Sequence, residues 1–274
     1  MENNISGIAV RRSILKMLYK AGASHLGSGM SAVELLISMF ASVNCNKIIN
    51  HSADRSRILI SKGHCAAATY ATMAHFGIIS FELLNTYHQD GSLLTGHVNH
   101  HVVGVEHSTG ALGHGLNVGV GCALGLKIKK IYTEKVLVLC GDGEIQEGAI
   151  WEGLMFAVHH KLNNLCVLID NNRISSITRT EEVIDLRPLK NRFEGFGLNT
   201  YEVDGHNITE IMQGIKNSEK FDKPTVIICN TIKGKDIPFA EWDPVWHYRS
   251  LNEELFNQAM LHLETLEKTQ KNEH

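Results

Sequence analysis

Two short stretches of this chain put hard oxygen donors where a charged ligand could be held. Gly141-Asp142-Gly143 directly follows the apolar run Val136–Cys140, and Asp170-Asn171-Asn172 directly follows Leu165–Ile169. Each run has the length and composition of a buried strand, and in parallel sheets ligands gather at the carboxyl ends of strands. Glycines on both sides of a carboxylate let the backbone approach a ligand and turn N–H groups toward an anion. Asp142 and Asn172 offer oxygens of the kind Mg2+ or Ca2+ takes, leaving positions for phosphate oxygens and water. Either motif alone reads as an ordinary turn. Together, each closing a buried strand, they point to a metal–diphosphate site.

Competing motifs fail. Gly234-Lys235 is followed by Asp236 and lacks the upstream glycine of a P-loop, and no stretch completes G-x-G-x-x-G after a strand. Neither G-x-S-x-G nor H-E-x-x-H occurs. His97, His100 and His101 are spaced as zinc ligands could be, but no cysteine or carboxylate sits beside them to complete a set.

The elements that must position these groups follow an alternating pattern. Arg57–Ile60, Val136–Cys140, Leu165–Ile169, Leu198–Val203 and Thr225–Cys229 read as strands; Leu116–Ile128, Trp151–His160, Asn207–Lys216 and Asn252–Leu266 read as helices. Buried strands alternating with helices predict an α/β fold, a doubly wound parallel sheet with helices on both faces. The first 40 residues predict two helices joined by a glycine-rich connection over 21–29, with Ser31 as a cap for the second. The stretch 88–115, rich in histidine and glycine, predicts a functional loop. One domain over residues 1–264, carrying an N-terminal helical extension, and a frayed polar tail over 265–274 complete the expected organisation.

Composition narrows the partners. The 274 residues carry 26 Lys+Arg against 29 Asp+Glu, a net charge of −3. That gives no basic excess for nucleic acid. No apolar run approaches a membrane span, and the N-terminus does not read as a signal peptide. Six widely spaced cysteines, three of them inside apolar runs, read as core hydrophobes of a cytoplasmic protein. The 16 histidines suggest a polar site.

Gly141-Asp-Gly-Glu-Ile-Gln-Glu-Gly148 followed by Asp170-Asn-Asn172 resembles the thiamine diphosphate signature in its transketolase form. Further blocks resemble transketolases in the same order: Gly22-Ala-Ser-His25-Leu-Gly27, Asp54-Arg55 with Ser61-Lys-Gly-His64, Thr95-Gly-His97, Gly104-Val-Glu106 with Ser108-Thr-Gly-Ala-Leu-Gly113, and Trp246-His247. With this length, the chain resembles the stand-alone N-terminal, diphosphate-binding subunit of a split transketolase.

The resemblance implies roles residue by residue. Asp142, Asn172 and the carbonyl of Ile174 would hold Mg2+, or Ca2+. Gly141, Gly143, His64 and His247 would meet the diphosphate of thiamine diphosphate. His25 and His97 would face the thiazolium and the sugar and, with His247, serve proton transfer, which imidazoles can carry out near neutral pH. Gly110 and Leu112 would lie against the cofactor, with Leu112 as its wedge. Glu147 and Glu152 match acidic residues of the family's subunit interface. Ser24 and Leu26 depart from the usual Gly-His-Pro-Gly around the first histidine, and the region after Ile174 lacks the usual apolar contact to the thiazolium.

The family's pyrimidine-binding half is missing from this sequence, so the resemblance implies a C-terminal partner subunit, an α2β2 assembly, and transfer of a two-carbon ketol unit between sugars or sugar phosphates. A transketolase-like synthase forming acyloins or decarboxylating its substrate is the alternative, with His107 and His114 as its hint. An inactive binding scaffold is a further one.

Overall fold

The computed structural model describes residues 5–272. Five strands form one sheet: β1 (Arg57–Ile60), β2 (Val136–Gly141), β3 (Leu165–Asn171), β4 (Asn199–Asp204) and β5 (Thr225–Asn230), in the order β1-β2-β3-β5-β4. Every neighbouring pair is parallel. The expected class is therefore observed.

The central strands β2, β3 and β5 carry unbroken apolar runs because both of their faces are covered, whereas the edge strand β4 alternates and keeps Glu202 exposed. Alternate residues of a strand point to opposite sides, and the two sides build separate cores. Leu137 and Leu139 of β2 and Cys166 and Leu168 of β3 join one core, under the helices Gly7–Ala21, Val33–Ala41, Ala66–His75 and Ile208–Asn217. Val136, Val138 and Cys140, with Leu165, Val167 and Ile169, join the other, under Gly115–Ile128, Gly148–His159 and Leu189–Gly195. At about 1.5–3 kcal/mol for each fully buried aliphatic side chain, these strands stay in the interior whatever the loops do. All six cysteines are free thiols. Among the described residues no helix is long and apolar enough to cross a membrane.

Three expectations need correction. The glycine-rich connection contains a helix, Leu26–Ser31, all six of whose residues are buried; burial outweighs the poor helix propensity of its two glycines. Ser31 lies inside that helix rather than capping the next, and its hydroxyl donates at 2.7 Å to Asp170. The last helix runs over Glu253–Asn272 instead of fraying after residue 264. Leu266 packs on the core and Glu267 pairs with Arg12 at 2.6 Å, so the tail has partners to hold it. Residues 273 and 274 of the expected tail lie outside the described residues.

Candidate active site

The carboxyl ends of β1, β2, β3 and β5 open into one cleft of about 510 Å3. The chain returns to it from distant places. His64 comes from the turn after β1, Asp142 and Gly143 from the end of β2, Asn172 and Ile174 from just beyond β3, and Lys233 from just beyond β5. His25 stands at the start of the buried helix Leu26–Ser31, and His247 closes the short helix Pro244–His247. Trp246, 2% exposed and bonded through its indole N–H to Phe239 O at 2.8 Å, anchors that last turn.

Four imidazoles face one another here. Ring centroids lie 5.1 Å apart for His25 and His247, 5.3 Å for His64 and His247, 5.6 Å for His25 and His97, and 5.7 Å for His25 and His64. His25 adopts a left-handed φ of 70°, rare for a non-glycine residue. Its backbone N–H donates to His247 O at 3.1 Å and its carbonyl accepts from Gly29 N–H at 3.0 Å, which ties the two histidines together. Burial lowers His25 to about 4 and His247 to about 3, and it pushes His64 well below the ordinary histidine range. Burial, then the charge of His88, lowers His97 as well.

The acids and lysines divide into engaged and unengaged groups. Asp170 is fully buried and accepts from Lys62 Nζ, Ser31 Oγ and Thr231 Oγ1. Burial raises its pKa, but the Lys62 ammonium and these donors hold it below the usual carboxylate range. Glu144, 2% exposed, accepts from Gly113 N–H and Gly141 N–H at 3.0 Å each and from Ser61 Oγ. It thereby joins the 108–114 loop to the ends of β1 and β2. Lys233 Nζ donates to Ile174 O at 2.9 Å and Ser175 O at 2.6 Å, and stands 3.4 Å from His247 Nδ1.

Asp142 is different. It is 6% exposed and has no ion-pair partner among the described residues. It accepts only backbone N–H groups, from Gly143 at 2.8 Å and from Arg173. Burial, and next the charge of Asp170, pushes its carboxyl up to about 7. A buried carboxylate that no ion pair neutralises is what a divalent cation would relieve. Asn172 and the Ile174 carbonyl line the same cleft with the neutral oxygens of such a set. Among the described residues no three His, Cys, Asp or Glu side chains gather as a metal site. The fit therefore rests on one carboxylate, one amide and one carbonyl, a donor set suited to a hard cation.

Most of the sequence-predicted residues come together: His25, His64, His97, Gly110, Leu112, Gly141, Asp142, Gly143, Glu147, Asn172, Ile174 and His247 all line the cleft. Glu152 does not; it is exposed on the helix Gly148–His159. The two glycines line the cleft and also donate within the chain. Gly141 and Gly143 spend their N–H groups on Glu144 and Asp142, because buried carboxylates take the nearest donors. Two cations also line the cleft that the sequence motifs did not single out: Lys62, paired with Asp170, and Lys233, bonded to the carbonyls of Ile174 and Ser175. Both follow the end of a buried strand, and a lone cation there was the available signal. Ile177 also lines the cleft and supplies an apolar group in the region where the sequence pattern lacked one. His107 and His114 are exposed and stand outside the lining. Two of the matched blocks serve architecture: Arg55 grips Glu106 with two bonds of 2.8 Å.

A parallel sheet whose strand ends gather a buried carboxylate, amide and carbonyl oxygens, lysines and imidazoles is the frame of a site for a phosphate-bearing ligand. Residues 5–263 match the thiamine diphosphate binding domain of transketolase, and the chain belongs to the transketolase family. It is 36% identical over 264 residues to an apulose-4-phosphate transketolase subunit from Phocaeicola vulgatus, covering 95% of this chain and 94% of that one. It is 34% identical to 6-deoxy-6-sulfo-D-fructose transketolase subunit SqwG of a Clostridium species, covering 93% and 94%. Among solved structures it resembles transketolase from Campylobacter jejuni, with a TM-score of 0.83 and 28% identity over 95% of this chain. It spans only 43% of that enzyme's length, although it spans nearly all of the subunit relatives.

Proposed function

We propose that this chain is the diphosphate-binding subunit of a two-subunit transketolase. With a separate pyrimidine-binding subunit, in an α2β2 assembly, it transfers a two-carbon ketol unit from a ketose to an aldose. The substrates are sugars or sugar phosphates. The observation that carries this reading is the convergence of Asp142, Asn172, Ile174, two lysines and four imidazoles in one cleft at the carboxyl ends of the strands.

Within that cleft the residues divide the work. Asp142, Asn172 and Ile174 O would hold Mg2+ or Ca2+, the carboxylate supplying the charge. Lys62, Lys233, His64 and His247 would bind the diphosphate, with the ammonium groups neutralising its charge. Gly110 and Leu112 would support the cofactor, and the half-exposed Leu112 side chain is free to pack on it. The carbon–carbon bond chemistry belongs to thiamine diphosphate when bound. His25 and His97, kept neutral by burial, would accept and return hydroxyl protons of the sugar. Glu147, on the rim, and Glu152, beyond it, are offered to a neighbouring subunit.

The described chain serves as one domain that includes the last helix. A cytoplasmic site of action suits its six free thiols.

The test is reconstitution. With thiamine diphosphate, Mg2+ and a panel of ketose donors, the isolated chain should show no ketol transfer. Addition of the partner subunit should restore it. Robust turnover by the single chain would overturn the division of labour.

A further inference from the structure

Behind the cleft lies a buried ionic cluster that none of the roles above uses. Arg11, 1% exposed, donates to both oxygens of Glu34, at 2.6 and 2.9 Å, and to Met30 O at 3.2 Å. Its Nε reaches Lys235 O at 3.3 Å and lies 3.4 Å from Asp236. Glu34 Oε2 also lies 2.9 Å from His206 Nδ1, and His206 Nε2 lies 2.8 Å from the backbone nitrogen of Ile232.

These contacts assign the protons of the ring. A carboxylate oxygen only accepts, so Nδ1 carries the hydrogen and donates to Glu34. A backbone N–H only donates, so Nε2 presents its lone pair to Ile232. Ile232 immediately precedes Lys233, and the segment has few other ways to be placed. Thr231 is held from the β3 side by Asn171 O and Asp170, and Gly234 N–H donates to Gly27 O at 3.0 Å. Gly234 takes a φ of +79°, and a Cβ there would stand 2.2 Å from Ala240 O, so this turn cannot relax by substitution. The stem of Lys233 passes close over Gly27, where a Cβ would meet it at 3.1 Å.

We propose that His206 is a positioning residue for Lys233. Clamped by the Arg11–Glu34 pair, it presents one acceptor to Ile232 N–H and so sets where the Lys233 ammonium enters the cleft. The cofactor side of this inference rests on the diphosphate-binding function proposed above; the clamp itself does not. Loss of the acceptor leaves a partly buried N–H without its partner at the residue next to the lysine.

Two substitutions separate this role from mere structural filling. His206→Asn keeps a donor near the Nδ1 position but places nothing near Nε2. His206→Gln reaches the Nε2 position with an amide oxygen. In the wild-type chain, 15N NMR of the histidines should show a protonated Nδ1 and an unprotonated Nε2 at His206. Amide hydrogen exchange at Ile232 should accelerate in His206→Asn and return toward wild type in His206→Gln. In the complex with the partner subunit, the Kd for thiamine diphosphate with Mg2+ should rise about tenfold in His206→Asn, with recovery in His206→Gln.

A protonated Nε2, an Ile232 amide indifferent to both substitutions, or equal cofactor affinity in the two variants would overturn the proposal. Failure of the wild-type complex to bind thiamine diphosphate would instead overturn the proposed function. The tautomer and the Ile232 exchange would still judge the clamp. Thermal unfolding of each variant checks that it is folded.

Discussion

Lys233 directs its ammonium group at the carbonyl of Ile174, 2.9 Å away, the oxygen proposed to complete the cation site. Burial lowers this lysine from the ordinary 10.5 to about 8, although the charge of Asp142 opposes the shift. The protein thus keeps a poorly solvated cation near a buried carboxylate with which it forms no ion pair, at a cost that binding an anionic cofactor would recover.

Lys233→Met should therefore separate stability from binding. Removing a charge-assisted bond to diphosphate should weaken the cofactor about 10–100-fold, while the melting temperature of the cofactor-free protein holds or rises. Raising the pH has the same two effects in the native chain. Between pH 8 and 10.5 the unfolded chain binds the proton that folded Lys233 has lost, so this residue's contribution to stability improves as pH rises. Affinity for the diphosphate falls over the same range. Calorimetric titration and thermal unfolding across pH 7–10 measure both. Unchanged affinity in Lys233→Met would remove the lysine from the site.

Asp142→Asn tests the cation. With the carboxyl raised from the ordinary 3.8 to about 7, the folded state binds the extra proton between these values. The unfavourable contribution of this group grows as pH rises through that window and is complete above it. At pH 8 the cofactor-free variant should be at least as stable as the native chain. Retention of thiamine diphosphate with Mg2+ should fall about 100-fold or more, because the only charged ligand of the set is gone. Gel filtration of the loaded complex, followed by assay of bound cofactor and metal, reads the result.

The imidazoles give a prediction independent of any ligand. With His25 lowered to about 4 and His247 to about 3, neither ring should titrate between pH 5 and 8 in proton NMR. Each is protonated near 6.5 in the unfolded chain, so stability from both should be present at neutral pH and lost as pH falls from about 6.5 toward 4. A histidine resonance at either position with a midpoint near 6.5 would contradict the burial described for it.

Glu34 predicts a large stability loss away from the cleft. Burial raises its pKa, but Arg11 and then the His206 hydrogen bond hold it at about 2. Its stabilising contribution is complete above the ordinary 4.5 and is lost as pH falls through 2. Glu34→Gln leaves the buried Arg11 guanidinium only Asp236, at 3.4 Å, as a paired carboxylate and should cost about 3 kcal/mol. Urea unfolding at pH 7 measures that loss. The deficit should shrink at low pH, where the native glutamate is protonated too.

How much of this was readable beforehand depended on the range of the physics. The sheet was legible because strands buried on both faces must be apolar at every position, a rule that acts within five or six residues. Val136–Cys140 and Leu165–Ile169 obey it, with observed ends one or two residues further on. Asp142, Asn172 and His25 were legible because short motifs carry them. The helix Leu26–Ser31 was not, since its glycines speak for a loop and only burial in the core says otherwise. Lys62 with Asp170, Arg11 with Glu34, and Glu34 with His206 are separated by 108, 23 and 172 residues. No local period encodes such pairs. A charge can be buried only where the folded chain brings its counter-charge, so the sequence by itself determined the class of fold and the motifs of the site. Tertiary structure alone decided which lysines face the cleft, which acid stands without a partner, and what holds each of them in place.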